Sequence, residues 1–209
     1  MSVLFVIATP IGNLSDISER ARDILCSVKI VVAEDTRVTQ KLLNVIGSKA
    51  GTTSFNEHNS DRKLSMLLSK LEKHDLALVT DAGTPGISDP GPKLVLAANK
   101  SGHVIQSVPG PSAVSAALSI SGFSANSYQF LGFLSRQNNR QIEQLRNTIN
   151  FQGPTVIFES PHRLLGTLNN ISSVFGTRQI VVCRELTKLH EELFRGTADD
   201  AITYFQRPM

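Results

Sequence analysis

The chain has little cysteine. Cys26 and Cys183 are the two in 209 residues, far apart and outside any C-x-x-C spacing. That argues against a disulfide framework or a structural zinc site and fits a reducing, cytoplasmic setting. Long apolar runs are lacking as well: none nears the length of a membrane span, and Val3 to Ala8 is too short, and without a basic lead, for a secretory leader. Nor does one sign of charge dominate. Residues 1–112 carry 12 basic and 11 acidic side chains and the remainder 9 and 7, for a net +3, a balance that by itself says little about nucleic acid. Several signatures are also missing. Without G-x-G-x-x-G or G-x-x-x-x-G-K-[ST] there is no dinucleotide fingerprint and no P-loop. His58, His74, His103, His162 and His190 show no metal spacing, so no metal is expected. Pro109-Gly110-Pro111-Ser112 is not G-x-S-x-G, which leaves a serine hydrolase unsupported.

What is present is alternation. Val3–Ala8, Ile30–Ala33, the run from Leu76 and His103–Val108 read as strands, each followed by a loop and a helical pattern. Their unbroken apolar character suits strands buried on both faces of a parallel sheet. Asp16 with Glu19 reads as a capping box opening the first helix. A second unit begins near residue 121, with strand candidates at Tyr128–Phe133, Thr155–Phe158, Gln179–Cys183 and Glu192–Arg195, and helices between and after them. The expectation is an α/β protein of two domains, 1–120 and 121–209.

The densest special chemistry is Asp81-Ala82-Gly83-Thr84-Pro85-Gly86-Ile87-Ser88-Asp89-Pro90-Gly91-Pro92, with three Gly, three Pro and a carboxylate towards either end. Such a loop after a strand is shaped rather than slack, and carboxyl ends of strands are where open α/β sheets bind ligands. Thr9–Asn13, Glu34–Arg37, Pro109–Ser112 and Glu159–Arg163 stand at equivalent places, and the five together could line one crevice. Lacking phosphate cradles, the loops suit a ligand without phosphate, and S-adenosylmethionine fits. Asp81 can accept from hydroxyls or an ammonium, Gly83 admits close backbone approach, and Ser112 and Ala113 offer N–H groups at a helix start. Glu34-Asp35-Thr36-Arg37 reads either as an N-cap with a local ion pair or as a charged substrate mouth with Arg37 on a phosphate. His162, beside Glu159 and Arg163, is either a base or a structural loop residue. Arg136, Arg140 and Arg146, set against Glu143, form either an edge towards RNA or a solvated helix face.

Seven motifs in order carry a resemblance: Thr9-Pro10-Ile11-Gly12-Asn13-Leu14, Glu34-Asp35-Thr36-Arg37, the Asp81 loop, Pro109-Gly110-Pro111-Ser112, Gly132-Phe133-Leu134, Glu159-Ser160-Pro161-His162-Arg163-Leu164 and Arg184-Glu185-Leu186-Thr187-Lys188. In this order they resemble the bacterial 16S ribosomal RNA cytidine 2′-O-methyltransferases of the tetrapyrrole methylase superfamily, over essentially the whole chain. The resemblance implies two α/β domains, usually a cytoplasmic homodimer, with S-adenosylmethionine in the cleft between the domains. Pro10, Asp81, Gly83, Thr84, Ser112 and Ala113 match the cofactor-side loops, with Leu165 from the second domain. The partner implied is 16S ribosomal RNA in the small ribosomal subunit; no DNA and no membrane are expected. Glu34, Asp35 and His162 are the candidate bases for a ribose hydroxyl, and Arg37 and Arg163 the candidate RNA contacts. The family's chains normally continue past Gln206-Arg207-Pro208-Met209 with a further strand, so the second domain is expected to be incomplete. Two other functions stay open: a sister methylase acting on a tetrapyrrole or other small molecule, and a non-catalytic ribosome-binding remnant.

Overall fold

Continuous apolar runs build the centre of the first sheet. In the computed structural model, which describes residues 2–56 and 59–206, β1 (Val3–Ile7), β2 (Ile30–Ala33), β3 (Gly51–Ser54), β4 (Leu76–Leu78) and β5 (Val104–Val108) run parallel in the order β3-β2-β4-β1-β5. Side chains of successive strand residues point to opposite faces, and two cores result. Ile7, Val31, Ala33, Ala77, Val79 and Val108 pack on one face against Ala21 and Leu25 of α1 (Glu19–Ser27) and Leu42 and Leu43 of α2 (Thr36–Ile46). Leu4, Val32, Leu76 and Leu78 pack on the other against Leu67 and Leu71 of α3 (Ser60–Leu71) and Leu94 and Ala98 of α4 (Pro92–Lys100). Helices on both faces explain why the strands read as continuous apolar runs.

The chain divides into two compact units, Met1–Ala113 and Val114–Met209. The boundary falls at the start of α5 (Ala113–Ser121), whereas the sequence reading puts it after that helix. In the second unit β6 (Gln129–Phe133) pairs parallel with β7 (Thr155–Phe158), and β8 (Ile180–Arg184) pairs antiparallel with β9 (Glu192–Gly196), as two separate ribbons. With them go α6 (Asn138–Arg146), α7 (Leu164–Phe175) and α8 (Ala198–Phe205). Residues 207–209, where the sequence reading sees an early end, lie outside the described residues, as does His58.

Two local expectations are corrected. Asp16 ends a short 3-10 turn, Leu14–Asp16, and does not cap α1; the cap is Ser18, whose hydroxyl accepts from the Ala21 N–H at 3.2 Å. And β3 has no counterpart among the strands expected from sequence. Gly51-Thr52-Thr53-Ser54 has no apolar run, but as the sheet's edge strand it is defined by backbone pairing with β2, which its β-branched threonines accommodate.

Gly91, at the N-cap of α4, has φ +148°, and a Cβ there would stand 3.2 Å from Leu78 Cδ2. Leu78 is almost wholly buried and has little room to yield. We expect Gly91→Ala to cost about 1–3 kcal/mol in urea unfolding, from backbone strain and overpacking together; an unchanged midpoint would show that the loop relaxes freely.

Candidate functional site

Because the first sheet is parallel, the loops after β1, β2, β4 and β5 all leave from one edge. The neighbours β1 and β4 send their chains opposite ways: α1, after β1, packs on one face and α4, after β4, on the other. Such a switch opens a crevice above the strand ends, the usual ligand site of open α/β sheets.

The loops flanking this switch are tied together. Thr9 N donates to the Gly83 carbonyl at 2.9 Å and Gly83 N to the Thr9 carbonyl at 3.0 Å. The buried Thr9 Oγ1 donates to the Thr80 carbonyl at 3.1 Å. Gly83 has φ +90°, and a Cβ on it would lie 3.5 Å from Ile11 Cγ2, so glycine is favoured by conformation rather than by space. Thr84 Oγ1 donates to the Pro111 carbonyl at 3.2 Å, which brings the loop after β5 into the same group. Ser112 and Ala113, at the start of α5, follow directly and are partly buried, as is Pro10.

Carboxylates gather on this edge. Glu34 Oε2 accepts from Thr80 Oγ1 at 2.7 Å, and Asp81 Oδ1 accepts from the Asp35 N–H at 3.0 Å. Asp35 caps α2 through the Arg37 N–H and is gripped by the Arg37 guanidinium at 3.0 Å and 2.6 Å. Those bonds, the guanidinium's first, hold its carboxyl down at about 2. Asp89 is different. It returns from the far limb of the glycine-proline loop to within hydrogen-bonding reach of Thr80 and beside Glu34 and Asp81. Burial above all, then those two charges, pushes it up to about 6 against the pull of the Thr80 hydroxyl. Burial also raises Asp81. The single Thr80 hydroxyl proton is bonded to Glu34, while burial and the charges of Glu34 and Asp81 favour the protonated form of Asp89 more than in an ordinary aspartate.

In the second unit Glu159 is buried and fully engaged. It accepts from Ser160 N at 2.7 Å and Thr167 Oγ1 at 2.6 Å, and pairs with Arg163 at 3.3 Å. Arg163 Nη2 also donates to the carbonyls of Leu134 and Ser135 at 3.0 and 3.1 Å. Its guanidinium is therefore occupied by protein oxygens, while Arg37 keeps a side chain 87% exposed beyond its one carboxylate. His162 is exposed on the turn before α7, and Leu165 is half-buried in the first turn of that helix.

Residues 3–202 match the family model of tetrapyrrole (corrin/porphyrin) methylases. The chain belongs to the tetrapyrrole methylase family. Among its relatives is the ribosomal RNA small subunit methyltransferase I of Thermotoga maritima, 44% identical over 99% of this chain and 93% of that protein. The protein of the same name from Synechocystis sp. is 42% identical over 98% of this chain and 74% of that one. The crystal structure of a diphthine synthase superposes on the whole chain and on 87% of its own with a TM-score of 0.72, at 13% identity. That likeness shows a shared fold and nothing more.

This tetrapyrrole methylase thus brings Pro10, Glu34, Asp35, Arg37, Asp81, Gly83, Thr84, Ser112 and Ala113 to the loops of one sheet edge in its first unit, while His162, Arg163 and Leu165 belong to the second. Among the described residues no helix is long and apolar enough to cross a membrane. Sequence reasoning passed over Asp89 and Thr80. The signal for Asp89 was a second carboxylate near the close of the glycine-proline loop; what it lacked was the return of that loop onto Thr80.

Asp89 also makes stability depend on pH. A folded value near 6 against an ordinary 3.8 means the folded state holds the proton more tightly between those values, so stability falls as pH rises through that window. Asp89→Asn should then be more stable than the parent at pH 7.5 by about 1 kcal/mol, discounted for partial solvation, with the gap closing near pH 4. Thermal unfolding across that range checks this. A constant gap would show that Asp89 does not titrate differently in the fold.

Proposed function

We propose that this chain transfers a methyl group from S-adenosylmethionine to the ribose 2′-hydroxyl of a cytidine in 16S ribosomal RNA, in the decoding region of the small subunit, as a cytoplasmic homodimer. The observation that carries the reading is 44% identity, across nearly the full chain, to a protein named ribosomal RNA small subunit methyltransferase I. The chemistry of the switch-point loops supports it.

Those loops fit the donor. Asp81 uses one oxygen on the Asp35 N–H, leaving the other for a hydroxyl or an ammonium. Gly83, buried and bonded through both backbone groups to Thr9, holds the loop beside Ile11 in place. Pro10, Thr84, Ser112 and Ala113 stand on the loops of the same sheet edge. When bound, S-adenosylmethionine supplies an electrophilic methyl carbon on a sulfonium.

The chain's own residues then have to orient a ribose oxygen, exclude water and accept a proton. Among Glu34, Asp35 and His162, Glu34 is the base this reading favours. Asp35 is committed to Arg37 and to the cap of α2, and its depressed carboxyl is a poor proton acceptor. Glu34 accepts from the Thr80 hydroxyl and stands beside Asp89, whose carboxyl is raised to about 6. Arg37, with most of its side chain in solvent, is placed to meet an RNA phosphate while Asp35 fixes its angle. Arg163 acts within the second unit by holding the Glu159 turn in place.

The test is incubation with methyl-labelled S-adenosylmethionine and small ribosomal subunits lacking the modification, followed by nucleoside analysis. Label on a cytidine 2′-oxygen is expected; label on a base, or on small tetrapyrroles in preference to subunits, overturns the reading. In the same assay Glu34→Gln, which keeps an oxygen for Thr80, should lower kcat by about 10²–10⁴-fold, the usual worth of a general base, with donor affinity unchanged. A full-rate variant would remove Glu34 from that role.

A further inference from the structure

The arginines of the second unit sort into two sets. Arg163 is held by Glu159 and two carbonyls, and Arg184 pairs with Glu192 at 3.2 Å. Arg178 donates to the Ile149 carbonyl and stacks 4.6 Å from the Phe175 ring centroid. Arg195 donates to the carbonyls of Ile120 and Ser121. Arg136, Arg140 and Arg146 are the others among the described residues; all three are exposed and make no ion pair or hydrogen bond through their side chains. They stand on α6 and the turn leading into it.

The helix cannot roll to hide them. At about 100° per residue, Arg140, Glu143 and Arg146 share one side of α6 with Asn139, while Gln141 and Leu145 take the opposite side. Leu145 is fully buried and Gln141 5% exposed. Gln141 Nε2 donates to Thr167 Oγ1 at 3.0 Å, Asn170 Nδ2 donates to the side-chain oxygens of Gln141 and Asn138, and Thr167 donates in turn to Glu159. A buried amide network of this kind fixes rotation about the helix axis, because any roll would leave amides unsatisfied. The outward side therefore presents the guanidinium groups of Arg140 and Arg146 and amides at fixed spacing, with Arg136 exposed on the turn just before the helix, against the single carboxylate of Glu143.

We infer that this face of α6 is a docking surface for the phosphate backbone of the RNA acceptor, with Arg136, Arg140 and Arg146 as the phosphate contacts. The inference rests on the proposed RNA substrate and adds where on the second unit that RNA is held. Arginine suits the task through its planar, permanently charged fork of donors. With no carboxylate to leave, these three lose no ion pair on meeting a phosphate. The glutamate keeps the face from becoming a featureless cationic patch, and the neighbouring amides can bond sugars or bases. The charge complementarity points to a polyanion.

The experiment measures binding of the full chain to small ribosomal subunits lacking the modification, as a function of salt, with S-adenosylmethionine affinity measured in parallel. The variants are R136Q/R140Q/R146Q, its lysine counterpart R136K/R140K/R146K, and K49Q/K73Q/K100Q, which removes the same charge from exposed positions of the first unit. Loss of three phosphate contacts should reduce the slope of log affinity against log salt by about 2 and weaken binding at physiological salt by about tenfold or more. The lysine variant should recover most of the salt slope, donor affinity should not change, and K49Q/K73Q/K100Q should bind far better than the glutamine triple. The inference is overturned if the glutamine triple binds like the parent, or no worse than K49Q/K73Q/K100Q. Failure of the parent itself to bind subunits while binding the donor overturns the RNA reading and this inference with it.

Discussion

The candidate site depends on one reciprocal pair of backbone hydrogen bonds, between Thr9 and Gly83. It joins two loops whose helices depart to opposite faces of the sheet, where nothing in the regular ladder would hold them together. Thr9 adds its hydroxyl to the Thr80 carbonyl, so the residues that begin the glycine-proline loop are fixed from two directions. Asp81 and Thr84 flank this anchor, and their orientations follow from it. The cores on both faces supply the stability; this pair turns the resulting frame into a site.

From that anchor the electrostatics follow. Parallel strands bring the loops after β2 and β4 to one edge, and with them Glu34, Asp35, Asp81 and Asp89. The fold separates their roles by what each carboxylate is given. Asp35 receives a guanidinium and a helix N-terminus and stays ionised. Asp89 receives burial and like charges and is inclined to hold a proton. Two carboxyls on one sheet edge are thus held far apart in proton affinity by their surroundings. The second unit uses its polar residues otherwise. Glu159, Thr167, Gln141 and Asn170 satisfy one another in its interior, and the result is a rigid α6.

Much of this was legible in the sequence, for physical reasons. Strands buried on both faces must be apolar throughout, so β1, β2 and β4 declare themselves, and the backbone demands of the glycine-proline loop mark it as a shaped loop at a strand's carboxyl end. The edge strand β3 could not be read, because Gly51 to Ser54 contribute hydrogen bonds rather than apolar surface. The start of α1 was misplaced because Asp16 and Glu19 have capping-box spacing, yet the Ser18 hydroxyl is the one that reaches the free N–H. Arg163 stands as an RNA contact by the resemblance alone. Its three oxygen partners are contributed by residues 134, 135 and 159, and only the first two of these are remote enough to be hidden from sequence. Asp89 required knowing that the loop doubles back onto Thr80.

The central claim is that the edge joined by Thr9 and Gly83 holds the methyl donor. The direct measurement is the backbone amide spectrum of isotope-labelled protein titrated with S-adenosylhomocysteine, the demethylated product of the donor. The account predicts saturable shifts concentrated at the amides of Thr9, Asp81, Gly83, Thr84, Ser112 and Ala113. Saturable shifts confined to other loops of the sheet or to its opposite edge, with these six unmoved, would contradict it.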